Sequence, residues 1–219
     1  MKITVGSINT LVAGAIALAV PGLGSAAGPE HAEYVAHLHA MNTTAAHAKT
    51  TGTAQFNISG DTLTIHVSVR GAPPDMVHWQ HFHGFADGKA ATCPTAADDA
   101  NHDGIVDLIE TGKTAGTTMV PFIAEPATMD VAHGTYPKAD AKGDYAYEAK
   151  VSLKALDAAF DKAFPGQKLD LDKRVVFIHG VAADAKLPAT VASLGTIPAQ
   201  VTLPIACGQI ERVHARAAY

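Results

Sequence analysis

The sequence predicts an all-β domain, an antiparallel sandwich or barrel, and two observations carry that reading. From Thr62 to Arg70 the chain alternates without a break. Leu63, Ile65, Val67 and Val69 fall on one face and Thr62, Thr64, His66 and Ser68 on the other, the period-two pattern of a half-buried strand. Similar short stretches recur between turn residues such as Gly60-Asp61 and Gly71-Ala72-Pro73-Pro74. That spacing suits a meander of strands rather than alternating strands and helices.

The first 27 residues read as an export signal. Lys2 supplies a positive start, Leu11 to Val20 is apolar or small throughout, and Ser25-Ala26-Ala27 offers a cleavage site. The apolar run is too short for a comfortable membrane span, and no other stretch approaches one. No cysteine follows the cleavage site to carry a lipid anchor, so a secreted or periplasmic protein is expected. Lys2 is the only charged residue removed, so 16 basic residues become 15 against 21 acidic, and the net charge of −5 becomes −6. No basic stripe is present, which argues against nucleic acid as a partner. Residues 28–219, roughly 190 in number, suffice for one domain with its own core. The two cysteines, Cys93 and Cys207, read as one disulfide in an oxidising compartment. A bridge across a loop of this size contributes up to about 4.7 kcal/mol in the chain-entropy model.

The remaining elements follow in order. Glu33 to Met41 is a first strand that places His37, His39 and Met41 on one side; the two histidines read as solvent-facing or as a weak metal-scavenging pair. Gly52 to Ser59 is the second strand and Thr62 to Arg70 the third. After the central strand at 77–84 the chain leaves on an excursion, residues 85–145. Thr117 to Ala124 is expected to form a strand within it and Ala132 to Gly143 a loop. Tyr145 to Leu153 alternates again. Leu153, Leu156, Phe160 and Phe164 then recur at helical spacing until Pro165-Gly166 stops a short helix. Arg174 to Gly180 and Gln200 to Ile210 are the last strands.

The stretch Val77-His78-Trp79-Gln80-His81-Phe82-His83-Gly84 stands out among twelve histidines. On a strand, His81, His83 and Trp79 share one face, while Gln80 and Phe82 take the other. Two residues on, the Cα atoms are roughly 6.6 Å apart and the imidazoles lean the same way. One metal ion can then accept a nitrogen from each ring, and imidazole suits copper and zinc best. Such binding is expected to fail below about pH 6, because a free imidazole protonates near 6.5.

Within the excursion, Asp99-Ala100-Asn101-His102-Asp103-Gly104 followed by Glu110 matches the calcium-loop pattern in full. Asp99, Asn101 and Asp103 supply hard oxygens, Gly104 makes the turn, the Ile105 carbonyl and Asp107 follow, and Glu110 closes the shell. The flanks lack paired amphipathic helices, with Cys93-Pro94 before and Gly112 after. A lone structural calcium loop is therefore expected, and extracellular modules of this kind bind at roughly 10⁻⁴–10⁻³ M.

Taken together, His81-x-His83, Cys93, Arg174-Val-Val-Phe-Ile-His179 and Ala206-Cys207-Gly208-Gln209-Ile210 resemble the copper–zinc superoxide dismutase superfamily. That superfamily includes the chordin-type (CHRD) domains, and the resemblance covers essentially all of residues 28–219. It implies a Greek-key β-barrel, copper held by His81, His83 and His179, and a Cys93–Cys207 bridge pinning the long loop. The chain also departs from the family pattern. His133 and Asp144 echo two zinc ligands, but the histidine expected between them is Ala141. His102 stands in for the bridging histidine, at a calcium-loop position that normally points outward. These departures count against zinc and make calcium the expected organiser of the loop. Pro204 replaces the family's anion-guiding arginine, leaving Arg174 as a candidate substitute.

Three functions follow from this reading. The first is a secreted or periplasmic copper-binding protein, in copper handling or as a structural module. The second is a copper-only or calcium-stabilised superoxide dismutase acting on superoxide. The third is a non-enzymatic CHRD-type structural or adhesive module. No Gly-x-Ser-x-Gly elbow is present to suggest a hydrolase.

Overall fold

The computed structural model describes residues 31–213. The export signal expected at residues 1–27, and His214, lie outside them. Eight strands form one antiparallel sheet that curls on itself: β1 (His31–Ala40), β2 (Thr51–Ser59), β3 (Thr62–Arg70), β4 (Gln80–Gly84), β5 (Thr117–Pro121), β6 (Tyr145–Ser152), β7 (Val175–His179) and β8 (Pro204–Arg212). Their order is β5-β4-β7-β8-β1-β2-β3-β6. Four short helices accompany them, α1 (Thr43–Ala46), α2 (Leu108–Ala115), α3 (Leu153–Ala163) and α4 (Ala199–Thr202).

Alternation decides what fills the curl. Leu63, Ile65 and Val67 of β3 are fully buried against Phe56 of β2, Phe82 of β4 and Val176 and Ile178 of β7. α3 closes this core with Leu156 and Phe160, and Ser152 caps it by accepting from the Ala155 amide at 3.2 Å. β4 and β7 are buried along their whole length because each faces the core on one side and the excursion on the other. Val175, Phe177 and Cys207 form the floor of a small second core, and Ala91 and Ala115 of the excursion cover it.

The excursion contains more order than its sequence suggests. Asp107 and Glu110, read as calcium ligands, form a reciprocal capping box that starts α2. Gly112 lies inside that helix rather than ending it. Gly116 ends it instead, at φ 73, where a Cβ would collide with the Gly84 carbonyl; only glycine fits. The central strand is also shorter than its pattern. Residues 77–79 precede β4, Val77 bridges Lys138, and Trp79 stacks on Tyr136 with ring centroids 5.3 Å apart.

Candidate metal centre

His81 and His83 leave β4 on the face opposite Phe82 and Gln80. Gln80 is held on the core side by the Phe122 carbonyl at 3.1 Å and the Tyr145 hydroxyl at 3.3 Å. β7 pairs with β4, placing His81 opposite Phe177, so His179, two residues further on, falls diagonally beside His81. The ring centroids of His81 and His179 are 4.5 Å apart, those of His81 and His83 4.8 Å, and those of His83 and His179 6.0 Å. Two register shifts flank the site, one at Phe82/His83 and one at Ile178/His179. Bulges of this kind re-aim a side chain without breaking the sheet. Pro204, which has no amide hydrogen to give the ladder, stands opposite His179 at the second shift.

One ligand atom from each histidine lies within 4.8 Å of the other two. The residues His81, His83 and His179 are 3, 2 and 4% exposed. His81 Nδ1, His83 Nδ1 and His179 Nε2 are buried and make no hydrogen bond. A buried nitrogen left without a partner costs roughly 1–3 kcal/mol, and three such histidines with ligand atoms this close together fit a metal ion that all three would ligate.

The opposite ring nitrogens are held in place. His179 Nδ1 is 2.7 Å from the Thr202 carbonyl. Thr118 stands across the β4–β5 ladder from His83, and its hydroxyl lies 3.2 Å from His81 Nε2 and 3.1 Å from His83 Nε2. His78 supports the site from behind, with Nδ1 3.0 Å from the His179 carbonyl and Nε2 2.8 Å from that of Pro73. Partners of this sort orient metal-binding imidazoles and fix their tautomers. Thr118 and Thr202 have no motif of their own: strand pairing brings Thr118 to the site, α4 brings Thr202, and His78 comes from the segment just before β4.

Burial also sets the charge of the triad. It pushes His81 well below 6.5, helped by the neighbouring His179 and His83. His83 falls to about 3, through burial and then His179, and His179 to about 4, through burial. The rings are therefore neutral and available as ligands through the acid range in which a free imidazole protonates.

The other residues singled out in the sequence lie elsewhere. His102 is exposed in the 99–110 loop with φ 61. His133 is 83% exposed and pairs with Asp130 at 3.0 Å. Neither reaches the triad, and the Asp144 carboxylate accepts from the Gly71 amide instead. Arg174 does not serve as a guiding cation. It is fully buried, and its guanidinium donates to the carbonyls of Leu169, Lys168 and Phe85 at 2.9, 2.7 and 3.4 Å.

Asp99, Asn101 and Asp103 fold the calcium-type loop by accepting from the loop's own amides. Glu110 accepts from Ala100, Asn101 and Asp107. Ile105 is buried against the main core. The carboxylates of Asp99, Asp103 and Glu110 do not converge as the imidazoles do. Among the described residues, only the triad brings three or more His, Cys, Asp or Glu ligand atoms that close together. Cys93 and Cys207 form the disulfide, closing 114 residues, which indicates an oxidising compartment. Among the described residues no helix is long and apolar enough to cross a membrane.

No family model matches the chain, and no curated protein matches it.

Proposed function

We propose that the chain is an exported copper-binding protein in which His81, His83 and His179 hold the metal, serving copper handling or a structural role. The observation that carries this reading is a cluster of three buried histidines whose ligand atoms lie within 4.8 Å of one another, each ring with a nitrogen that has no partner. An all-imidazole donor set excludes hard cations and suits copper or zinc. The choice of copper, and of a Greek-key barrel of the superoxide dismutase type, rests on the family resemblance of the sequence. The proposal includes a calcium ion in the 99–110 loop, supported by the full ligand pattern and by turns that already present Asp99, Asn101 and Asp103 to the loop's interior amides.

Superoxide dismutation is the second reading, favoured by the same resemblance. Against it stand Pro204 at the position of the guiding arginine, the burial of Arg174, and a triad at most 4% exposed. A small anion approaches a buried site quickly only when fixed positive charge draws it in.

Elemental analysis and a superoxide assay on one sample test these readings. One copper per chain, with turnover well below the diffusion range of about 10⁸–10⁹ M⁻¹s⁻¹, is expected. Turnover within that range, falling as salt is raised, would establish the dismutase. A chain that retains no metal would leave the CHRD-type module.

A further inference from the structure

Four residues on neighbouring strands stand in one row. The ladders pair His81 with Phe177, Phe177 with Cys207, and Cys207 with His39. Residues directly opposite one another project to the same side of a sheet. His39 therefore shares the triad's face, three inter-strand steps or roughly 14 Å away. His37, two residues earlier on β1, projects the same way. Both are exposed, while Ala36 and Leu38 on the alternate positions are buried in the core, so the strand cannot turn the imidazoles inward.

Beside this pair opens a cavity of about 290 Å³, with Met41, Glu211 and the Cys93–Cys207 disulfide in its wall. Two imidazoles suit cupric copper, and a thioether suits cuprous copper. Met41 packs against the small core that contains Phe177, and the Phe177 ring is 4.7 Å from that of His83. Met41 thus adds a soft donor beside the exposed pair, and the buried Phe177 and Cys207 stand between the pair and the triad in the row. The triad itself, at 2 to 4% exposure, presents almost nothing to an incoming hydrated ion.

We propose that His37 and His39 form a second, exposed copper site that captures the ion on its way to the buried triad. Among the described residues no third His, Cys, Asp or Glu completes a group with them, so the site is weak, and a capture site must release what it holds. The inference rests on the reading of the triad as the resident metal centre. Holding the ion nearby converts delivery from a bimolecular into a local step, which raises the loading rate without changing the final affinity.

The test follows copper uptake by the metal-free, disulfide-intact chain at limiting copper, together with copper content at equilibrium. In His37→Ala/His39→Ala, loading of the tight site is expected to slow by about tenfold or more, with equilibrium content and metal-free melting temperature unchanged. His66→Ala/His133→Ala, which alters histidines elsewhere on the surface, is expected to load like the parent. Equal rates in the parent and His37→Ala/His39→Ala overturn the proposal. Equal slowing in the control overturns it too, since any surface histidine would then serve. A parent that holds no tight copper refutes the reading of the triad instead. The pair is then judged by copper titration: loss of weak binding in His37→Ala/His39→Ala keeps it, and persistence removes it.

Discussion

His78 Nδ1 lies 3.0 Å from the carbonyl of His179, so one histidine fixes the backbone of another that belongs to the metal triad. The second nitrogen of the same ring is 2.8 Å from the Pro73 carbonyl, and the ring stacks on Tyr145 with an interplanar angle of 8°. Carbonyls only accept, so the tautomer decides which of the two receives a ring N–H. The chain can leave β7 here because Gly180, at φ 113, adopts a backbone that L side chains rarely do and has no Cβ to crowd His78.

Replacing this clamp therefore costs more than an ordinary hydrogen bond. His78→Ala leaves a buried carbonyl without its donor and opens a cavity, and a loss of about 3 kcal/mol or more is expected in denaturant unfolding of the metal-free protein. Copper affinity is expected to fall by about 10- to 100-fold as His179 loses its support. A variant as stable as the parent would show that the clamp is incidental.

Thr118 allows a cleaner test, because Thr118→Val keeps the shape and removes only the hydroxyl that lies between His81 and His83. Metal-free stability is expected to change by about 1 kcal/mol, while copper affinity falls by about tenfold or more. The spectrum of bound copper should shift as the rings reorient. Unchanged affinity and spectrum would mean that packing against Phe177 alone orients the imidazoles.

These two residues mark where the sequence stops being informative. Strand periodicity places His81 and His83 on one face, and the Val175-Val176-Phe177-Ile178 run marks a buried strand that ends in His179. Two cysteines have only one way to pair within the chain. Register is different: nothing local says that Thr118 stands opposite His83, because that depends on a bulge at the ladder between two strands separated by the first part of the excursion, residues 85–116. Helix α2 is hidden for another reason. Gly112 reads as a breaker, and the Asp107/Glu110 pair that caps the helix is the same pair that reads as calcium ligands. Arg174 shows a third limit, since a long cation looks free until the carbonyls it serves are placed around it.

For the proposed calcium site, the loop's hydrogen bonds change what substitutions should do. Glu110→Gln weakens acceptors already serving Ala100, Asn101 and Asp107, and Asp103→Ala removes the partner of Thr190. Both variants are expected to melt lower than the parent even in a chelator. The calcium contribution is the additional loss when calcium is present, because a ligand stabilises only the state that binds it. Equal melting temperatures of the parent with and without calcium would remove the ion from the loop.

The triad's buried imidazoles also set a pH dependence whose sign is fixed. In the unfolded chain these rings titrate near 6.5, whereas in the folded chain His83 and His179 are held at about 3 and about 4, and His81 well below 6.5. Below 6.5 the unfolded state therefore binds more protons than the folded state, and stability must fall with pH. The contribution is complete above 6.5 and is lost progressively as the medium is acidified toward the folded-state values. Denaturant unfolding of the metal-free protein between about pH 7 and pH 4 should show this decline, and His179→Asn should make it shallower by removing one of the three groups. Metal retention follows from the same displacement. Folded rings that remain neutral at pH 5 still offer their lone pairs, so copper is expected to stay bound below the pH 6 limit that free imidazoles would impose. Release with a midpoint near 6 from protein that is still folded would show that the rings titrate as if exposed.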